Sequence, residues 1–176
     1  MPKFKLTLTV FITLIISACT GLPDKAQVVD GFNIERYLGT WYEIARLDHP
    51  FERGLDNIKA TYSTNPDGSI RVLNQGYNQE EEEWSEAEGK AYFVDDPEHG
   101  HLKVSFFGPF YSTYAILELD ADYRYAMISG PNTDYLWLLS REISMPEEIK
   151  TAYLEKAKEL GFDITALIYP SHTLTE

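Results

Sequence analysis

Cysteine, basic residues and long apolar runs are all scarce in this chain of 176 residues, and each scarcity excludes a class of protein. A single cysteine cannot form an internal disulfide or a cysteine-based zinc site. Only 15 lysines and arginines stand against 28 aspartates and glutamates, and the net charge of −13 repels the phosphates of nucleic acids. No apolar run approaches the roughly 20 residues with which a helix crosses a bilayer. The composition predicts one acidic globular domain with no nucleic-acid partner.

The N-terminus resembles a secretion signal. Residues 1–18 contain two lysines, an apolar run and small residues at the end, and the only cysteine, Cys19, follows directly. The four residues that end at Cys19, ISAC, resemble the lipobox of bacterial lipoproteins, in which the cysteine is acylated after the signal is removed. Acyl chains contribute about 0.8 kcal/mol per buried methylene, so they anchor a protein without a spanning helix. We expect residues 1–18 to be a lipoprotein signal peptide and residues 19–31 to be the lipidated N-terminus and its tether.

The residue after the cysteine bears on location. Thr20, and not an aspartate, follows Cys19, and this resembles bacterial lipoproteins that are sorted to the outer membrane. The sequence therefore predicts a lipid-anchored protein of the bacterial outer membrane. An ordinary secretion signal that is followed by a cysteine through chance is the alternative.

The rest of the chain, residues 32–176, is predicted to form one all-β domain. Eight short β-rich runs are separated by turn sequences at spacings of about 10 to 17 residues, which is typical of an antiparallel meander. Many runs carry large apolar residues at both odd and even positions, unlike a sheet with one solvated face. The pattern predicts an eight-stranded antiparallel up-and-down β-barrel. A capping box that begins at Ser144 and an apolar stripe that ends at Gly161 predict one C-terminal α-helix on the barrel wall.

Three short motifs resemble those of the lipocalin family. The sequence GTWY at residues 39–42 opens the first strand, as the family's G-x-W-Y does, and Ala121-Asp122-Tyr123 stands at the turn where the family has T-D-Y. A literal TDY at residues 133–135 lies one turn later, and we interpret it as coincidental. The third motif is Arg141 at the end of the eighth strand. The resemblance extends from about residue 32 to residue 168, which is nearly all of the chain after the tether.

The resemblance implies a fold and a set of structural residues. An eight-stranded barrel of this family holds one small ligand or is filled by side chains. In the family the arginine packs across the first-strand tryptophan and closes the base of the barrel. The structural signature residues implied by the resemblance are Gly39, Trp41, Tyr42, Asp122, Tyr123 and Arg141.

The resemblance is strongest to the lipid-anchored, apolipoprotein D-like branch of the family, and this implies an amphiphilic lipid as ligand. In the second strand, the alternation of Ile58, Ala60 and Tyr62 with polar residues indicates independently that these three face inward. The pocket residues implied by the similarity are Tyr62, Val72, Asn74, Phe106, Trp137 and Leu139. A barrel that these side chains simply fill is the alternative.

The direction of the first strand predicts which loops surround the open end. If this strand rises from a closed end at Trp41, the loops after the odd-numbered strands lie at the mouth. The acidic residues expected there are Glu80 to Glu83, Glu86 and Glu88, and the aromatic ones are Phe51, Phe110 and Tyr111. An acidic mouth favours zwitterionic headgroups over anionic ones.

The sequence lacks the motifs of common active sites, namely G-x-S-x-G, G-x-G-x-x-G, the Walker loop and H-E-x-x-H. His99 and His101 can share one strand face, but no third histidine or cysteine accompanies them, so solvated turn residues are the favoured interpretation. An inward-facing Glu43 is more simply explained by an arginine or tyrosine partner than by catalysis. The run from Glu80 to Glu83 is interpreted as a solvated loop. We expect no catalytic residue, no metal site and no cofactor.

These observations predict a membrane-anchored lipocalin that binds lipid and is not an enzyme. It would store or transport fatty acids or lysophospholipids for maintenance of the envelope, including under stress. The expected partners are one small amphiphilic lipid and the membrane, which is reached through acylated Cys19. The alternatives are a scaffold lipoprotein with a filled barrel and, with less support, a lipid-modifying enzyme. The sequence leaves a homodimer open.

Overall fold

The structure is a computed structural model, and it describes residues 21–174. The strands are β1 Gly39–Arg46, β2 Leu55–Thr64, β3 Ile70–Asn78, β4 Glu83–Phe93, β5 His101–Phe107, β6 Phe110–Leu119, β7 Tyr125–Ser129 and β8 Leu136–Ser140. The helices are α1 Ile34–Tyr37, α2 Glu147–Glu159 and a 3-10 turn at Ile164–Ala166. All neighbouring strands pair antiparallel, and β1 also pairs with β8, so the barrel is closed. The predicted eight-stranded up-and-down barrel with one main C-terminal helix is confirmed. The predicted signal peptide and Cys19 lie outside the described residues.

The apolar residues on both faces of the strands belong to two separate cores. Strand β7 shows this arrangement, because all five of its residues are buried. Ala126 and Ile128 belong to the inner core, inside the barrel. Tyr125 and Met127 belong to the outer core, which lies between the barrel wall and α2 and includes Ala157 of that helix. The mixed parity of apolar residues in the sequence therefore reflects a wall that is covered on both sides.

Helix α2 begins later than its sequence motif indicates. Pro146 is its N-cap, and this residue makes no side-chain capping hydrogen bond. The capping-box prediction is therefore wrong. Ser144 lies outside the helix, where its carbonyl accepts a hydrogen bond from the Ser140 hydroxyl at 2.9 Å. The segment before the helix stays non-helical, and Met145 reaches the outer core from it.

The N-terminal residues of the described chain lie along the outside of the barrel. The N–H of Val29 donates to the carbonyl of Ile116 at 2.9 Å, and the carbonyl of Val29 accepts from the N–H of Gly100 at 2.9 Å. Three apolar side chains of the same segment pack against the outer core: Leu22, Ala26 and Val28. Residues 21–31, which the sequence analysis assigns to the tether, are thus held against the wall in the structure.

Candidate functional site

The barrel is hollow over the part that lies away from α1. Its cavity has a volume of about 440 Å³ and is open at one end. Sites that enclose small molecules usually measure about 300–1,000 Å³. The structure places all six of the predicted pocket residues on the cavity wall: Tyr62, Val72, Asn74, Phe106, Trp137 and Leu139.

Strand register brings these residues together. Ala60 pairs with Asn74 and Tyr62 pairs with Val72 across β2 and β3, and directly paired residues share one face of a sheet. All four therefore point into the lumen, and all four line the cavity. The side-chain oxygen of Asn74 is buried and has no hydrogen-bond partner within residues 21–174. It is a polar atom on a largely apolar wall that remains available to a ligand.

A glycine on β4 makes room for the ring of Phe106. A Cβ atom at Gly89 would lie 2.8 Å from this ring, which is closer than real Cβ contacts allow. The aromatic ring therefore fills the space over a strand position that has no side chain of its own. Phe106 is half-buried and packs against the inner core below the cavity.

Three tyrosines close the floor of the cavity. The hydroxyl of Tyr114 is 2.6 Å from that of Tyr37 and 2.8 Å from that of Tyr62, so the three form one hydrogen-bonded chain. Burial raises the pKa of Tyr37 and Tyr114 well above the ordinary value and also raises the pKa of Tyr62. The floor is therefore made of neutral phenols whose hydroxyls already have partners. Tyr62 and Tyr114 also line the cavity itself.

Trp41 and Arg141 lie below this floor. Trp41 is fully buried, and its indole N–H donates to the carbonyl of Tyr37 at 2.8 Å. The guanidinium of Arg141 lies 4.0 Å from the centre of the Trp41 ring and donates to the carbonyls of Thr40 and Tyr123 at 2.9 and 3.2 Å. Burial lowers the pKa of Arg141, but a guanidinium stays charged at neutral pH. This end of the barrel is closed by a cation that is stacked and hydrogen-bonded.

The other signature residues lie around the same end. Gly39 has a φ of +94°, and a Cβ there would lie 3.3 Å from the Arg141 guanidinium, so both the backbone and the space favour glycine. Tyr123 is buried and accepts a hydrogen bond from the N–H of Asn33 at 2.9 Å. Asp122 is exposed in the same turn. Tyr42 is on the outer face of β1, where its ring contacts His172.

A polar cluster lies beside the cavity, near the first loop. Arg46 donates to the Glu43 carboxylate at 2.7 Å and to the backbone carbonyl of Glu52 at 2.8 Å. The carboxylate of Glu52 in turn lies 2.9 Å from the ring nitrogen of His49 and accepts from the Trp137 indole at 3.1 Å. An arginine or tyrosine partner is predicted from the sequence for an inward-facing Glu43, and Arg46 is that partner.

The two carboxylates of this cluster have opposite pKa shifts. Burial raises the pKa of Glu43 well above its ordinary value, and the neighbouring Glu52 adds to this effect while Arg46 opposes it. Burial also acts to raise the pKa of Glu52, but the hydrogen bond and charge of His49, together with the Trp137 indole, lower it below its ordinary value. Glu52 is thus the more acidic of the two carboxylates, and His49 and the Trp137 indole lie beside it.

The mouth of the cavity is formed by loops at the end opposite Trp41. Phe51, Phe110 and Tyr111 all border the opening, in the positions that the sequence analysis expects. Glu80 to Glu83 are exposed in the loop between β3 and β4 and at the start of β4, and they do not line the cavity.

Two of the acidic residues expected at the mouth face away from it. The Arg71 guanidinium donates to Glu88 at 2.6 Å and lowers the pKa of that carboxyl, and Gln75 donates to Glu86. The prediction that Glu86 and Glu88 rim the opening is therefore wrong. They alternate along β4 with Ser85 and Ala87, which line the cavity, and so they lie on the outer face.

The cavity wall also contains residues that the sequence did not indicate, and four of them bear on its chemistry: Tyr114, Tyr135, His49 and Glu52. Tyr114 lies in β6, where Ile116 belongs to the inner core and Ala115 and Leu117 to the outer one, so apolar residues at both parities do not indicate which side chains face the lumen. Tyr135 is the last residue of the TDY copy at residues 133–135, and its ring stacks on Trp137 at the mouth. His49 and Glu52 lie in the loop after β1, where no periodic pattern indicates direction.

Neither a metal site nor a membrane-spanning helix is found in the part of the chain that the structure describes. Residues 21–174 contain no group of three or more histidines, cysteines, aspartates or glutamates that could hold a metal ion. His99 instead lies 3.4 Å from Asp30 of the N-terminal segment. Within the same residues, no helix is long and apolar enough to cross a membrane.

Comparison with known proteins assigns this barrel to a class. A family model described as Lipocalin-like domain matches residues 32–172. The chain therefore belongs to the lipocalin family, whose members are generally binding proteins, and the family resemblance inferred from the motifs is confirmed.

Individual relatives are close. Outer membrane lipoprotein Blc of Vibrio cholerae is 52% identical over 158 residues, which cover 89% of this chain and 92% of the relative. Apolipoprotein D of Rattus norvegicus is 33% identical over 141 residues, which cover 74% of this chain and 72% of the relative. Insecticyanin of the tobacco hornworm Manduca sexta, a solved structure, matches with a TM-score of 0.69 over 87% of both chains, and at 19% identity it supports the fold alone. Relatives named outer membrane lipoprotein in several bacteria confirm the predicted location at the bacterial outer membrane.

Proposed function

We propose that the protein carries single-chain amphiphilic lipids, either lysophospholipids or fatty acids, at the bacterial outer membrane. The lipid chain occupies the barrel, and the mature protein is anchored by acylation of Cys19. The carrier stores or transports these lipids for maintenance of the envelope, including under stress. Its chemistry is solubilisation, because an acyl chain that leaves water for an apolar cavity needs no bond to be made or broken.

The observation that supports this proposal most directly is the open apolar cavity of about 440 Å³. Its wall combines apolar side chains with few polar groups, and this composition is typical of sites that bind amphiphiles. The paired tyrosine hydroxyls at the floor offer nothing to a headgroup. The unpartnered Asn74 oxygen and the Glu52–His49 pair lie along the wall above the floor. The headgroup is therefore expected at the mouth and the chain end at the tyrosine floor.

Anchoring is supported by the lipobox-like sequence before Cys19 and by the relatives that are named lipoproteins. Mass spectrometry of protein from its own envelope should show acyl chains on the N-terminal cysteine. Cys19→Ser should remove that mass and move the protein to the soluble periplasmic fraction. If the serine variant stays with washed membranes at high salt as completely as the parent does, the anchor is not Cys19.

Ligand binding is best tested through Trp137, which lines the cavity. Trp41 is fully buried in the base, and Trp84 lies outside the lumen. In a Trp84→Phe background, Trp137 is therefore the indole that a ligand in the cavity can contact. Titration with a lysophospholipid should change the tryptophan fluorescence and saturate at one lipid per chain. The same titration of Trp137→Phe is the control, and it should lose the signal. An unchanged spectrum, together with no lipid extracted from the native protein, would contradict the proposal.

A further inference from the structure

Three large apolar side chains are exposed together at the mouth. Phe51 is 72% exposed, Phe107 is 72% exposed and Phe110 is 73% exposed, and all three border the cavity opening. Single exposed apolar residues are common on soluble proteins and need no explanation, but a group that surrounds an opening marks a surface that contacts something apolar. We call these three residues the phenylalanine rim.

The N-terminal segment leads towards the same end of the barrel. Phe32, at the end of this segment, packs near the closed end. From there back towards the N-terminus, the chain passes Val29, which is hydrogen-bonded to Ile116. At Gly21 the carbonyl accepts a hydrogen bond from the hydroxyl of Thr113 at 2.8 Å. Thr113 is three residues from Phe110 along β6, which is about 10 Å at the rise of a β-strand.

The chain between this point and the proposed anchor is very short. Cys19 precedes Gly21 by two residues, which span at most about 7 Å when fully extended. The segment that follows is hydrogen-bonded and packed against the wall, so it does not act as a flexible linker. Acyl chains on Cys19 would therefore keep the mouth, and not the closed end, close to the membrane surface.

The charges around the mouth indicate which lipid surface fits. The loop between β3 and β4 and the first residue of β4 present four exposed glutamates, Glu80 to Glu83. Asp48 and Arg53 in the loop after β1 pair with each other at 2.6 Å and contribute no net charge. An acidic edge of this kind is repelled by anionic headgroups, whereas zwitterionic headgroups carry no net charge to oppose it.

We propose that the phenylalanine rim inserts into a zwitterionic bilayer surface, so that the cavity opens directly onto the membrane that holds its lipids. The anchor geometry rests on the proposed acylation of Cys19, whereas the rim does not. Docking in this orientation lets an acyl chain pass between bilayer and barrel while Phe51, Phe107 and Phe110 shield it from water. The acyl anchor supplies the affinity, and the rim sets the orientation.

The first experiment measures the rim without the anchor. The full mature chain with Cys19→Ser should bind weakly to phosphatidylcholine vesicles in a flotation assay. Replacing Phe51, Phe107 or Phe110 by serine should lower the partition coefficient about tenfold each, because each loses most of the transfer free energy of a phenylalanine ring. The matched control is Ile143→Ser, which removes a side chain that is 57% exposed beyond β8 at the closed end and should leave the partition unchanged.

The second experiment tests orientation in the acylated protein. The indole introduced by Phe110→Trp should shift its emission to shorter wavelength on vesicles and be quenched by brominated acyl chains, whereas the indole introduced by Ile143→Trp should not. Adding phosphatidylglycerol should weaken vesicle binding of the Cys19→Ser chain. Equal quenching at both positions, or equal loss of partition in the Ile143→Ser control, would overturn the proposal.

The readouts separate this inference from the function on which it builds. If lysophospholipid titration succeeds but the rim variants bind vesicles as the parent does, the carrier function stands and membrane docking is wrong. If the rim variants instead abolish a dimer measured by sedimentation, the rim joins two copies of the chain and the docking proposal is also overturned. If acylation of Cys19 is absent, the vesicle partition of the serine variant still tests the rim.

Discussion

The closed end and the mouth of the barrel contain similar residue types but differ in what those residues contact. At the closed end, Trp41 is fully buried and Arg141 donates to backbone carbonyls of its own protein. At the mouth, Phe107 and Phe110 are exposed, and the Asn74 oxygen on the wall below has no partner among residues 21–174. Side chains whose hydrogen bonds and apolar contacts are made within the protein stabilise the fold. Exposed apolar rings and polar atoms without a partner are instead available to a ligand or a membrane. We therefore expect substitutions at the closed end to lower stability and substitutions at the mouth to change binding.

The largest expected effect comes from breaking the closed end. Trp41→Ala removes a fully buried side chain beneath a stacked guanidinium, and we expect it to lower the free energy of unfolding by about 3–5 kcal/mol. Urea denaturation followed by circular dichroism measures this change. Trp84→Ala is the control, because that side chain is partly exposed on the outside of the barrel and should cost less than about 1 kcal/mol. Similar losses for the two variants would show that the closed end is not special.

The next effect is on affinity and not on stability. Ala60 is half-buried, faces the cavity and pairs with Asn74, so Ala60→Trp should occupy the lumen and lower lysophospholipid affinity by more than about tenfold. Val72→Trp is a poorer test, because Val72 is buried at the floor and a larger side chain there would overpack it. Isothermal titration measures the affinity. Ser63→Trp, on the opposite face of β2, is the control, and an equal loss in that variant would place the lipid outside the barrel.

The fold was predictable because burial leaves a periodic trace in strands. The two-sided apolar pattern of runs such as Tyr125–Ser129 indicated a wall that is covered on both faces, and α2 is that cover. The same parity argument, applied to β4, would have assigned Glu86 and Glu88 to the outer face beside Arg71. The prediction for these two glutamates is wrong because it rests on the position of the loop, whereas the alternation of β4 places both side chains outside.

The polar cluster was less predictable for a physical reason. His49 and Glu52 lie in an irregular loop, and their inward direction depends on tertiary contacts with Arg46 and Trp137 that leave no local signal. The pocket residues Asn74 and Trp137 came from family resemblance, because periodicity alone cannot distinguish a filled barrel from a hollow one. Their place on the cavity wall is observed, and their contact with lipid stays a prediction.

The polar cluster provides a smaller, pH-dependent test. The pKa of Glu43 is higher in the folded protein than in the unfolded chain, so the stability from this group is complete below the ordinary glutamate pKa of about 4.3 and is lost as pH rises towards the folded value. The amide that replaces the carboxyl in Glu43→Gln does not titrate, so this contribution to stability does not depend on pH in the variant. The unfolding free energy of Glu43→Gln relative to the parent should therefore increase with pH, by at most about 1.4 kcal/mol per pH unit.

Chemical denaturation between about pH 4 and pH 8 measures this difference. When Glu43 is replaced, Glu52, whose pKa lies below its ordinary value, remains as the titrating carboxylate of the cluster. Glu159→Gln on the exposed side of α2 is the control. A difference between Glu43→Gln and the parent that does not change with pH would contradict the raised pKa of Glu43.

The smallest expected effect concerns headgroup choice at the mouth. Glu80 to Glu83 are exposed and do not line the cavity, so their charges act on a bound headgroup through water. A unit charge about 10 Å away in water is worth about 0.4 kcal/mol before salt screening, and the Debye length at 0.1 M salt is about the same distance. Four such charges together should therefore favour a zwitterionic lysophospholipid over a fatty acid of equal chain length by about threefold at 0.1 M salt, and by more at lower salt. Replacing all four glutamates with glutamine should remove most of this preference, whereas Glu86→Gln and Glu88→Gln, on the outer face, should change it less.

A preference that survives the four substitutions and added salt would mean that contacts inside the barrel, such as those of Asn74, select the headgroup.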